Sequence, residues 1–123
     1  MNGKGALMNI GGNNAATPAV PTGFTVTAGA AGSRTINLAW TDVANNNAGY
    51  TVQSRYRLIP GLNLFSAWTT VTNAVNGDAS NYAATGLTTN RQYQFRISAN
   101  GAAGAPSSAT VQMPAGNTTI TTP

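Results

Sequence analysis

The run Leu87-Thr88-Thr89-Asn90-Arg91-Gln92-Tyr93-Gln94-Phe95-Arg96-Ile97-Ser98-Ala99 decides the fold. From Gln92 onward it alternates strictly. Tyr93, Phe95, Ile97 and Ala99 share one face, and Gln92, Gln94, Arg96 and Ser98 share the other. Successive side chains on a strand point to opposite faces, so this period predicts a strand buried on one side and wet on the other, as in an antiparallel sandwich. Leu87 precedes the tyrosine that opens the buried face. A tyrosine there puts its ring in the core and its hydroxyl within reach of the preceding turn, the arrangement of a tyrosine corner.

Upstream, Phe24 and Val26 alternate with Thr25 and Thr27, which predicts a first edge strand just after Pro18 and Pro21. Ile36, Leu38 and Trp40 alternate with Asn37, Ala39 and Thr41, making Trp40 the large plug of the core. On the next strand Tyr50, Val52, Ser54 and Tyr56 point inward, leaving Arg55 and Arg57 outward. Short strands over 65–72 and 81–85 flank the turn signal Asn76-Gly77-Asp78, and a last strand over 109–113 stops at Pro114. The expectation is an all-β, seven-stranded antiparallel sandwich with a core built on Trp40, Tyr50, Leu87 and Tyr93.

The start Pro21-Thr22-Gly23-Phe24-Thr25-Val26, Trp40, Tyr50 and the Leu87/Tyr93 pair together resemble a fibronectin type III domain. The resemblance covers residues 18–114. It leaves 1–17 as an N-terminal arm or linker and 115–123 as a threonine-rich tail, extended by propensity. Either the Leu7-Met8-Asn9-Ile10 island or Thr118-Thr119-Ile120-Thr121-Thr122 could add a strand to a neighbour's sheet edge; the alternative is a plain terminus. Fibronectin-like adhesion modules can carry an Arg-Gly-Asp motif before the last strand. Here that loop reads Asn100-Gly101-Ala102-Ala103-Gly104-Ala105-Pro106, so the resemblance does not extend to integrin binding through that motif.

Charged residues are only 7% of the chain, against about 25% in ordinary globular proteins, so Asn, Thr, Ser, Gln, Gly and Ala must coat the surface. Six basic and two acidic residues give a net charge of +4, yet Lys4, Arg34 and Arg91 are scattered. Nucleic-acid binders cluster their cations, so none is expected as a partner. No apolar run approaches the roughly 20 residues of a membrane span. The first residues break into Gly-Gly-Asn-Asn before an export-signal core develops. Two origins stay open: a piece of a larger secreted protein, or a small protein that reaches its site by assembly.

Catalysis is argued down by inventory. The chain has no His and no Cys, which removes the usual general bases, thiol nucleophiles and imidazole or thiolate metal ligands. Its two carboxylates, Asp42 and Asp78, fall in different loops and read as turn residues. No enzyme, cofactor or metal is expected.

Two surfaces are candidates for binding. In Arg57-Leu58-Ile59-Pro60-Gly61-Leu62-Asn63-Leu64-Phe65, an apolar excursion replaces the short polar turn of related domains. Leu58, Ile59, Leu62, Leu64 and Phe65 either form a protein interface or fold back as a satellite of the core. Arg55, Arg57 and Arg96 point outward on neighbouring strands and form either a face for an acidic or polar ligand, glycans included, or a solvated sheet face. The expected function is a non-catalytic structural or adhesive module on a larger assembly, such as a virion decoration or tail-associated protein. The alternatives are a spacer domain of a secreted bacterial multidomain protein, or a glycan- or receptor-binding module. The expected location is accordingly a virion surface or the extracellular or cell-surface space.

Overall fold

The computed structural model describes residues 16–123 apart from 46, 103 and 104. The N-terminal arm and its Leu7-Met8-Asn9-Ile10 island fall outside the described residues, apart from the arm's last two positions. Eight strands follow in chain order: β1 Thr22–Ala28, β2 Ile36–Thr41, β3 Asn47–Tyr56, β4 Thr69–Val75, β5 Asn81–Ala84, β6 Gln92–Gly101, β7 Val111–Met113 and β8 Ile120–Thr121. They form two antiparallel sheets, β1-β2-β5 and β4-β3-β6-β7, with β8 also paired to β6. No helix among the described residues is long and apolar enough to cross a membrane.

The period-2 pattern becomes the core directly. Phe24, Ile36, Leu38, Trp40 and Ala84 come from one sheet, and Tyr50, Val52, Val75, Tyr93, Phe95, Ile97 and Ala99 from the other, all buried. Leu87 is half-buried against this cluster. The rings of Trp40 and Tyr50 meet at 5.2 Å between centroids across the two sheets. Tyr93 closes the corner as the sequence predicts, its hydroxyl accepting a hydrogen bond from the Thr88 backbone N–H at 3.0 Å.

The sequence leads to seven strands, and the eighth comes from the tail. β7 pairs with Phe95–Ile97 and β8 with Gln92 and Tyr93 on the same edge of β6, so segment 114–119 stands opposite the single residue Gln94. Gln94 fills that gap. Its amide nitrogen donates to the carbonyls of Gly116 at 2.9 Å and Thr118 at 2.7 Å, and its oxygen accepts from Arg55 Nε at 2.8 Å. Alternation alone places Gln94 on the wet face, but the tail covers it completely. The tail's end is held as well: Thr122 is buried, its N–H and hydroxyl both donate to the Arg91 carbonyl, and its own carbonyl accepts from Asn90 N–H.

Candidate functional site

The apolar excursion is a hairpin that prolongs β3. Arg57 and Phe65 form an isolated bridge, Leu58 N–H donates to Leu64 O at 2.8 Å, and Leu62 N–H donates to Ile59 O at 3.2 Å. Gly61, with φ +85°, supplies the left-handed residue that the tip requires. Arg57 anchors the far strand of the hairpin by donating to Leu62 O at 2.6 Å and Asn63 Oδ1 at 3.2 Å. Around this frame Leu58, Ile59, Leu62 and Leu64 are 53%, 51%, 49% and 52% exposed. They do not fold back into the core. Phe65 is half-buried at the base.

The arginine face is more closed than a solvated stripe. Arg57, Phe65, Arg55, Trp68 and Arg96 stack in alternation, with guanidinium-to-ring-centroid distances of 5.1, 4.5, 4.6 and 4.4 Å in that order. Such contacts stabilise by about 0.5–1 kcal/mol each when exposed and more when desolvated. Arg96 Nε also donates to Gln53 Oε1 at 2.6 Å. Burial, and then the neighbouring Arg96 charge, lower Arg55 from the ordinary guanidinium value. Trp68 lies just before β4 and not inside the expected 65–72 strand; its ring is what the two guanidinium groups sandwich. Arg55 and Arg96 are thus brought together as expected, but their donors and faces are largely engaged within the chain.

Arg57 leads to a third feature, absent from the sequence reading. A cleft of about 330 Å³ lies between the hairpin, through Arg57 and Pro60, the corner segment 88–92, and Thr121 of β8. Arg91 stacks its guanidinium 4.0 Å from the Tyr56 ring centroid. Arg57 Nε and Gln92 Oε1 are buried and take no hydrogen bond among the described residues. Sequence reasoning passed over Arg91 as a scattered charge. Only the docking of the tail brings Thr121 beside the corner, and no local pattern signals that docking.

The two carboxylates serve the fold. Asp42 accepts a hydrogen bond from the Tyr50 hydroxyl and is therefore not a self-bonded turn residue. Burial first, and then Asp42, push the Tyr50 phenol up to about 12. Asp78 sits in the β4–β5 turn, where its backbone N–H donates to Asn76 Oδ1 at 2.8 Å. No group of three or more metal-ligating side chains occurs among the described residues.

The family model for the fibronectin type III domain matches residues 19–113, most of the chain. The chain belongs to the fibronectin type III family. Among solved structures, the fibronectin type III domain of human collagen alpha-1(XX) aligns at 19% identity with a TM-score of 0.58, covering 86% of each chain. The chicken CNTN1 FN1–FN3 domains align at 22% identity and TM-score 0.60, over 86% of this chain and 32% of that one. A computationally redesigned β-sandwich aligns at 24% and 0.58, over 85% and 89%. No curated protein matches the sequence. At these identities the solved structures establish the sandwich alone. Fibronectin type III domains are generally non-catalytic structural or adhesive modules that mediate protein–protein contacts, and they are common in extracellular and cell-surface proteins. In this fibronectin type III domain the family match includes Gln94 but ends at Met113, before β8 and the Gly116 and Thr118 carbonyls that Gln94 holds.

Proposed function

We propose that this domain is a structural or adhesive module that joins a larger assembly by seating its 58–64 hairpin on an apolar patch of a protein partner or of another copy of itself. One observation carries the reading: four large apolar side chains stay half exposed on a hairpin fixed by backbone and Arg57 hydrogen bonds. On a surface otherwise coated with neutral polar groups, a contiguous apolar tip of this kind favours association. A virion decoration or tail-associated protein fits this use, because the contact would be permanent and the tip never left in water. A spacer in a secreted bacterial multidomain protein fits the same tip packed on an adjoining domain; similarity to one part of the chicken CNTN1 FN1–FN3 domains supports that version.

Glycan or receptor binding on the Arg55/Arg96 face has less support, because those guanidinium groups already stack on Trp68 and bond Gln94 and Gln53. In that version Arg96→Ala would lower ligand affinity.

The test is light scattering with limited proteolysis on the whole chain and on the Leu62→Asp, Leu64→Asp double variant. Assembly predicts a defined oligomer with a protected hairpin, reverting to monomer in the variant with the fold intact. A monomer at every concentration with a readily cut hairpin removes self-assembly and leaves a different partner or the spacer. If the variant unfolds, the hairpin belongs to the core and the interface is wrong.

A further inference from the structure

The cleft between the hairpin, the corner before β6 and β8 has the chemistry of a small anion-recognition site. Two of the chain's six basic residues, Arg57 and Arg91, line it. Arg57 donates from its terminal nitrogens to Leu62 O, Asn63 Oδ1 and Asn117 O, all uncharged acceptors. The Arg91 guanidinium stacks on Tyr56 and has no hydrogen-bond acceptor among the described residues. Both side-chain carboxylates are placed elsewhere, Asp42 on Tyr50 and Asp78 in the β4–β5 turn. The two cations therefore line the cleft without a side-chain counter-charge, and a concavity lined by one sign of charge concentrates ions of the other.

The remaining lining narrows the ligand. Thr88, Thr89, Thr121 and Asn90 offer hydroxyl and amide groups that both donate and accept. Two of the lining residues, Arg57 and Gln92, also hold a buried donor, Nε, and a buried acceptor, Oε1, without partners among the described residues. A ligand carrying both hydroxyls and a carboxylate answers this set, whereas a purely apolar one does not. The volume is near the lower bound of about 300 Å³ for small-molecule sites, so it suits one sugar ring and not a folded epitope.

We infer that this cleft binds an acidic monosaccharide unit, with the Arg91 guanidinium facing its carboxylate, Arg57 adding its charge from the cleft wall, and the threonine and asparagine side chains of 88–90 facing its hydroxyls. The site is separate from the apolar tip and does not depend on the hairpin's proposed role. Its occupancy positions no reaction; it adds a polar contact beside an apolar one at the same end of the domain.

The experiment is an amide chemical-shift titration of the full chain with D-glucuronate, with D-glucose, acetate and a short Asp-rich peptide as parallel probes. Saturable shifts confined to 57, 88–92 and 121 are expected for glucuronate at millimolar concentrations, weakened by added salt. Arg91→Gln should lower the affinity about tenfold, the scale of one lost charged contact. Thr89→Val, which removes no charge, should lower it less, and both variants should keep the dispersed spectrum of the folded chain. Leu62→Ser with Leu64→Ser, which removes the apolar tip without adding charge beside Arg57, should leave the titration unchanged, which separates this site from the apolar interface. Equal response to glucose overturns the role of charge. Equal response to acetate, or a stronger one to the peptide, overturns the sugar. No saturable shift with any probe overturns the site.

Discussion

The 58–64 hairpin and the 114–122 tail are both grafted on the edge region of one sheet, and they invert the usual relation between hydropathy and burial. The hairpin is rich in leucine and isoleucine yet stands half in water, while the tail, mostly polar around the single large apolar Ile120 that packs on the core, buries Thr122 and seals Gln94. The difference lies in the backbone. The hairpin satisfies its own hydrogen bonds locally, through Leu58–Leu64 and Ile59–Leu62, so nothing draws it onto the sandwich. The tail closes one turn of its own, Thr118 on Ala115, but most of its partners lie on the body of the domain, in β6, Gln94, Arg57 and Asn90. Backbone groups that must find partners can decide burial where side-chain hydrophobicity does not.

That contrast is most severely tested at Gln94. Gln94→Leu keeps the volume but strips the Thr118 carbonyl and the Arg55 Nε of this partner, while the Gly116 carbonyl keeps its second donor, Gln112 Nε2, at 3.1 Å. Each such group left unpaired costs about 1–3 kcal/mol, so a loss of roughly 2–4 kcal/mol is expected after partial rehydration. Urea unfolding gives the total, and hydrogen exchange should place the first opening in 115–122. Unchanged protection of the tail would mean that β8 pairing and the Thr122 and Asn117 bonds hold it without the clamp.

Alkaline pH separates the tail from the core. The folded Tyr50 phenol is pushed up to about 12, against an ordinary value of 10.0. Between these values the unfolded chain releases a proton that the folded chain keeps, so stability falls as pH rises, by about 1.4 kcal/mol per pH unit. The contribution is fully present below pH 10 and is lost as pH passes about 12. The Gln94 clamp is built on amide, carbonyl and guanidinium groups and does not share this window. Urea midpoints at pH 9 and 11 should differ in the parent chain and differ less in Tyr50→Phe. Equal pH sensitivity in both would remove Tyr50 as the cause.

At the tail's end, Thr122→Val removes only the hydroxyl bond to the Arg91 carbonyl and leaves the backbone bond in place. One side-chain hydrogen bond stabilises by about 1 kcal/mol net. A larger loss in thermal melts would show that the tail's last residues carry more of its attachment than the clamp does.

The same contrast explains what could be read from the chain. Alternation along 92–99, Trp40 and the Leu87/Tyr93 pair were enough for the sandwich, because burial on one face of a strand imposes a period that any window reveals. The exposed hairpin was legible as an apolar excess with no place in a filled core. Gln94 was not: its burial comes from a segment some 20 residues later whose threonines carry no apolar signal. Arg91 was missed for the same reason, since the cleft exists only once Thr121 docks beside it. Arg55 and Arg96 were correctly placed on one face, but the Trp68 ring between them follows from a loop conformation that period counting does not reach.

The smallest stability change belongs to the hairpin. Leu58, Ile59, Leu62 and Leu64 are each about half exposed, so little area is lost from the folded interior when two of them change. Leu62→Asp with Leu64→Asp should therefore change the unfolding free energy from urea titrations by no more than about 0.5 kcal/mol, the range of ordinary surface substitutions. Their backbone bonds, Leu58–Leu64 and Arg57 to Leu62 O, use carbonyls and N–H groups that aspartate also carries. The two new carboxylates would stand near Arg57, which offsets part of their mutual repulsion. A measured loss above about 2 kcal/mol would place the leucines in the fold's own packing and remove the contrast with the tail. A loss below 0.5 kcal/mol, together with lost association, would assign the apolar tip to a partner, with the polar tail holding the domain together.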